Sequence, residues 1–96
     1  MGEDQEAAGS LKRYRIEFLP SALKEFESLP KAEKRKAARH ISGLVDHPRP
    51  PGVKVLAGGD KLYRLRSGDY RIVYQIQDKA LVVSIVRLGH RSDGYR

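Results

Sequence analysis

Between Tyr14 and Phe18, apolar Tyr14, Ile16 and Phe18 alternate with Arg15 and Glu17. A period of two sends alternate side chains to opposite faces, so this segment predicts a half-buried strand. Pro20-Ser21 opens a short helix, because proline suits a first helical turn. Leu23, Phe26 and Leu29 form its apolar stripe. Pro30 interrupts it, and a second helix begins near Lys31. Ala37, Ile41, Leu44 and Val45 fall at i, i+4, i+7 and i+8, one face of that helix. Its other face carries Lys34, Arg35, Lys36 and Arg39. The run from His47 to Gly52, with Pro48, Pro50 and Pro51, cannot continue it.

The second half returns to a period of two. Val53 to Leu56 predicts a weakly paired segment that Gly58-Gly59 ends. Lys61 to Arg66 predicts a strand with Leu62, Arg64 and Arg66 on one face and Tyr63 and Leu65 on the other. Ser67-Gly68-Asp69 predicts a hairpin turn. Tyr70 to Gln77 follows, with Tyr70, Ile72, Tyr74 and Ile76 opposite Arg71, Val73 and Gln75. After a turn at Gln77-Asp78-Lys79, the apolar run from Leu81 to Arg87 predicts a central strand covered on both faces. Gly89 to Arg96 reads as an irregular polar tail.

Strand, two-helix hairpin and antiparallel meander of three or four strands make an α+β fold, with the helices over one sheet face. Ninety-six residues make one domain, 12–96, with a thin core. Chemistry is therefore expected on an open face or in a shallow groove. Residues 1–11, acidic, polar and small, read as a disordered tail.

Charge sharpens the picture. The net charge is +7, and Met1 to Ser10 contribute −3, which leaves +10 on the other 86 residues. Such a surplus favours a polyanionic partner. The absence of cysteine excludes disulfides, zinc–thiolate sites and thiol nucleophiles, and suits the cytoplasm. No apolar run approaches the roughly 20 residues that span a bilayer, and the N-terminus does not read as a secretory signal.

Arg64 and Arg66 share a strand face, and Arg71 follows just beyond the hairpin. Arg91 stands where a short tail can fold back to them. Taken singly, each reads as a solvated charge paired with Asp60, Asp69 or Asp93. Taken together, they read as a phosphate site, since guanidiniums stay charged and clamp phosphate with paired donors. Tyr63, Tyr70 and Tyr74 fall on the core face. Tyr95, among tail arginines, suits base stacking or proton donation, and His90 is the histidine nearest the cluster. His40 and His47 read as structural or idle. Histidines and carboxylates are too scattered for a metal site, and no phosphate-binding glycine loop or nucleophile elbow occurs. No cofactor is expected. RNA permits such chemistry, because its own 2′-hydroxyl attacks the adjacent phosphate once groups are aligned and charge is neutralised.

The stretch from Tyr63 to Gln75 resembles the central hairpin of RelE/ParE-superfamily toxins. The ending Val86 to Arg96 resembles the tail of their RelE branch, and Ala22-Leu23-Lys24-Glu25-Phe26 with Leu29-Pro30 resembles its first helix. The likeness runs from about Arg13 to Arg96. It implies a RelE-like, microbial-RNase-like fold and a toxin that enters the ribosomal A site. There it would cut messenger RNA without metal, leaving a 2′,3′-cyclic phosphate. By position, Arg64 takes the place of a catalytic lysine and Arg71 that of the arginine stabilising the pentacoordinate phosphate. Arg91 stands for the arginine near the leaving 5′-oxygen, and Tyr95 for the tail tyrosine. Arg66 is a further basic position on the same strand, with Lys61 and Lys54 as additional RNA-binding positions. Leu62 falls where some members carry a lysine proposed as the base, so the base is open among His90, Tyr95, Lys61 and Lys54. The resemblance also implies an antitoxin that wraps the toxin, received near Leu23, Phe26 and Leu44 and by the basic face. Two alternatives stand beside the nuclease: a ParE-like inhibitor of DNA gyrase, and a non-catalytic RNA- or antitoxin-binding module.

Overall fold

The computed structural model describes residues 12–56 and 62–90. The acidic tail, the Gly58-Gly59 break, Lys61, Arg91 and Tyr95 lie outside the described residues. The elements run β1 (Arg15–Phe18), α1 (Pro20–Glu27), α2 (Lys31–Gly43), β2 (Lys54–Val55), β3 (Leu62–Ser67), β4 (Tyr70–Gln77) and β5 (Val82–His90). Pro20 opens α1 with its fixed φ. Pro30 stands extended at the N-cap of α2, with φ −57° and ψ 150°, and separates the two helices.

The strands form one sheet in the order β1-β5-β4-β3-β2. β2 to β5 are the antiparallel meander expected from the alternation. β1 pairs with β5 in parallel, Arg15 opposite Val82 and Phe18 opposite Ile85. Val82 to Ile85 are all buried, but the expected cover on both faces is corrected: the helices lie over the Val83 and Ile85 face alone. On the other face, side chains of the flanking strands shield β5, as where Gln77 Nε2 donates to Ser84 Oγ at 3.1 Å. β5 also runs to His90, so Gly89 and His90 belong to the sheet rather than to an irregular tail.

Both helices cover one sheet face. Ala22, Ala37, Ile41 and Leu44 pack in one cluster with Tyr63, Leu65, Ile72, Tyr74, Ile76, Val83, Ile85 and Leu88. Leu44 has no exposed surface and cannot lie on an exposed apolar edge, whereas Leu23 remains 41% exposed. Leu44 caps the C-terminus of α2, where the last turn folds back onto the sheet.

A polar cluster ties the chain before β1, the loop after α2, β3, β4 and the β4–β5 turn together. Tyr14 Oη donates to Asp78 Oδ1 at 2.7 Å, and Arg49 Nη2 donates to Asp78 Oδ2 at 2.8 Å. Arg49 Nε donates to Tyr63 Oη at 3.0 Å, and Tyr74 Oη to the Pro48 carbonyl at 2.7 Å. The hydrogen bond to Asp78 pushes the Tyr14 phenol above its ordinary value, and burial does the same to Tyr74. A folded-state value above the unfolded one adds stability below about pH 10 that is lost as pH rises through the raised value. The thermal midpoint is therefore expected to fall steeply above pH 10, and less steeply in Tyr74→Phe. Equal alkaline slopes in the two proteins would count against buried Tyr74 as a source.

The β3–β4 turn needs its glycine. Gly68 has φ +62°, and a Cβ there would stand 3.3 Å from Glu33 Oε1 of α2. Gly68→Ala is expected to cost about 1 kcal/mol in urea unfolding; no loss would mean that the hairpin relaxes freely.

Candidate functional site

The helices leave the opposite sheet face uncovered, and the strand registers show which side chains stand on it. Arg66 of β3 lies opposite Arg71 of β4, and Arg71 opposite Gly89 of β5. Two residues along, Lys54 of β2 lies opposite Arg64, Arg64 opposite Val73, and Val73 opposite Arg87. Two transverse rows result: Arg66–Arg71–Gly89, and Lys54–Arg64–Val73–Arg87. With neighbouring strands about 4.8 Å apart, the second row spans about 14 Å. Val73 is buried although no helix lies over it, and arginine stems shield such positions while keeping their heads in solvent.

Arg87 reaches this face because β5 carries a bulge. Tyr74 pairs with Ile85 but Val73 pairs with Arg87, so Val86 is an extra residue. An extra residue reverses the alternation downstream. Val83 and Ile85 face the helices before the bulge; Leu88 and His90 do so after it. His90 therefore lies opposite Tyr70, with ring centroids 5.2 Å apart and planes at 83°.

β1 ends opposite Ile85, which leaves the β5 edge beyond it to α1. Glu25 Oε1 accepts the Leu88 N–H at 2.7 Å, taking the place of a neighbouring strand. Its Oε2 lies 3.8 Å from Arg87 Nε. Between this helix and the sheet face is a cleft of about 320 Å³. Lys24, Glu25, Ser28 and Leu29 form its wall, Val73 and Gly89 its floor, Arg71 and Arg87 its sides, and Tyr70, Leu88 and His90 complete the lining. Apart from its chain neighbours, no described residue comes within 4 Å of the place a Gly89 Cβ would occupy, so the floor is open. A second, basic depression lies at the other end of the row, between Gly52, Lys54, Arg64 and Arg66.

The structure thus brings Arg64, Arg66, Arg71 and Lys54 to one face. It sets His90 at the cleft but on the strand side facing away from them. Arg91, Tyr95 and Lys61 lie outside the described residues. Leu62, opposite Gln75, holds the place on this face where the resemblance has a lysine. His40, read as structural or idle, has its Nδ1 at 2.9 Å from buried Ser67 Oγ and ties α2 to the hairpin that carries Arg66 and Arg71. Sequence reasoning missed Arg87, Lys24 and Glu25. Arg87 ends an apolar run with no alternation to show its face, and the only available signal was its charge. Among the described residues, no group of histidines and carboxylates could hold a metal ion, and no helix is long and apolar enough to cross a membrane.

A thin helical layer on one side of a five-stranded sheet, with a cationic face on the other, defines a small α+β domain with one basic sheet face. Residues 16–95 match the family described as ParE toxin of type II toxin–antitoxin system, parDE. A putative RelE-like toxin protein of Escherichia coli is 37% identical over 87 residues, covering 86% of this chain and 90% of that protein. The mRNA interferase toxin RelE of Escherichia coli K12 is 32% identical over 80 residues, covering 81% of this chain and 83% of that one. The RelE–RelB complex of Pyrococcus horikoshii OT3 contains a chain that superposes with a TM-score of 0.75 at 33% identity, covering 85% of this chain and 99% of that one. The chain belongs to this toxin family, and its named relatives place it with the RelE-type members.

Proposed function

We propose that this toxin is a ribosome-dependent endoribonuclease that cuts messenger RNA in the cytoplasm by metal-free attack of a 2′-hydroxyl. The observation that carries the reading is the convergence of Arg64, Arg66 and Arg71, from two strands, on the sheet face that the helices leave open. The name of the Escherichia coli K12 relative, an mRNA interferase toxin, supports the same chemistry. In this mechanism the 2′-oxygen bonds to phosphorus and the bond to the 5′-oxygen breaks. The pentacoordinate phosphate gains negative charge, which fixed guanidiniums stabilise without reorganising. In this reading Arg71, flanked by Arg66 and diagonal to Arg64, takes that role. One proton must leave the 2′-hydroxyl and another must reach the 5′-oxygen. Lys54, beside Arg64 on the open face, is the first candidate to move one; His90 lines the same cleft as Arg71 but from the other strand face, and is the second. Arg91 and Tyr95 keep the roles that the resemblance implies, at the leaving oxygen and against a base.

A cognate antitoxin is part of this reading. The Pyrococcus horikoshii relative is seen in complex with RelB, and a basic sheet face suits an acidic segment of such a partner. Exposed Leu23 provides the apolar contact; Leu44, buried, does not.

The family description favours a second reading, inhibition of DNA gyrase in the manner of a ParE toxin. Mapping the 5′ ends of cellular messages after brief induction separates the two. New ends inside translated codons, absent in Arg71→Ala, are expected. Growth arrest with loss of plasmid supercoiling and no new ends would replace the nuclease with the gyrase inhibitor.

A further inference from the structure

The cleft between α1 and β5 has a use that the arginines of β3 and β4 do not explain. We propose that it is a second phosphate subsite, formed by Arg87 and Lys24, which holds the phosphodiester next to the one at Arg71. The inference rests on the nuclease reading for the identity of the neighbouring phosphate, but its test needs no cleavage.

Three observations carry it. First, the β5 bulge turns Arg87 to the open face, in the row of Lys54 and Arg64 and diagonal to Arg71 across Gly89. Second, Gly89 leaves the floor without a side chain between the two guanidiniums, so a backbone phosphate has room there. Third, Glu25 stands beside Arg87 at ion-pair distance, too far for a hydrogen bond, and leaves the outer guanidinium nitrogens uncovered. Its one oxygen is committed to the Leu88 N–H at 2.7 Å, and the other lies 3.8 Å from Arg87 Nε. Among the described residues the terminal nitrogens of Arg87 meet no acceptor, and its side chain is 52% exposed. Lys24 adds a second cation to the lining. An arginine whose outer fork meets no protein acceptor keeps it for a phosphate. The Glu25 carboxylate, bonded to the strand amide, offsets part of the Arg87 charge, and Lys24 in the same lining keeps the cleft cationic.

The test uses the whole chain and a short single-stranded 2′-O-methyl oligoribonucleotide, which cannot be cut, with binding read by fluorescence anisotropy across a salt series. Arg87→Ala is expected to weaken binding about tenfold, as for loss of a charged hydrogen-bond pair. The log–log salt slope should shrink by about 0.7, the value for one single-strand phosphate contact. Lys24→Ala should have a smaller effect of the same kind, and Arg87→Lys should keep the slope while losing part of the affinity. Oligonucleotides with one neutral methylphosphonate then locate the contact. Neutralising the phosphate beside the one read by Arg71 should cost the wild type affinity and cost Arg87→Ala nothing. Wild-type affinity and slope in Arg87→Ala overturn the subsite, as does equal sensitivity of both proteins to every methylphosphonate. If message is not cut by the wild type but the Arg87 result holds, the nuclease reading fails and the RNA subsite stands.

Discussion

Arg71→Ala is expected to slow single-turnover cleavage of ribosome-bound message by about two to three orders of magnitude, the loss typical of removing one donor to a developing oxyanion. The size follows from the charge change. A phosphodiester carries one negative charge, and the pentacoordinate species formed by an alkoxide carries two, so a fixed cation favours the transition state over the ground state. Arg71 sits in the middle of the cationic face, opposite Arg66 on one side and Gly89 on the other. Affinity for the programmed ribosome should fall far less than rate, because Arg64, Arg66 and Lys54 still face the polyanion. Arg71→Lys should recover part of the rate, since it restores the charge but not the planar fork. Far-ultraviolet circular dichroism should be unchanged, as the side chain points away from the helix-covered core. Full cleavage by Arg71→Ala would remove the electrostatic mechanism. A loss confined to ribosome affinity would reduce Arg71 to a docking residue.

Leu44→Ala is expected to lower stability by about 3 kcal/mol. For a domain of this size that lowers the thermal midpoint by roughly 10 to 25 °C. Leu44 is fully buried at the end of α2, in the cluster that joins both helices to the sheet. Removing its branched end leaves a cavity that the rigid sheet below cannot close. Leu23→Ala, on the exposed side of α1, should cost under about 1 kcal/mol. The contrast separates core from partner surface. A mild Leu44→Ala would return that residue to the apolar edge expected from the helical pattern alone.

The helix stripe illustrates a general limit of one-dimensional patterns. Ala37, Ile41 and Leu44 share a face by spacing, and that face is the buried one. Spacing shows which side of a helix is apolar but not what covers it, so the same stripe fits a core and a docking edge. Leu44 went to the core because the chain turns immediately after α2 and lays its last residues on the sheet. His40 shows the converse. It lies off the stripe, yet its ring reaches Ser67 on the hairpin. A contact across 27 residues leaves no trace in either local pattern.

What the residues determined by themselves was the order of elements, the helix boundaries set by Pro20 and Pro30, and the shared face of Arg64 and Arg66. Each follows from local geometry, a period of two or 3.6 or a ring that fixes φ. Tertiary structure alone decided three further things. β1 pairs in parallel with β5, a partner more than sixty residues away, which no local period encodes. The bulge at Val86 reverses the faces of β5, turning Arg87 outward and His90 toward Tyr70. Glu25 then takes over the strand edge that short β1 leaves open. An unbroken apolar run carries no phase, so only the pairing of backbone amides across strands could settle which of its neighbours would face the substrate.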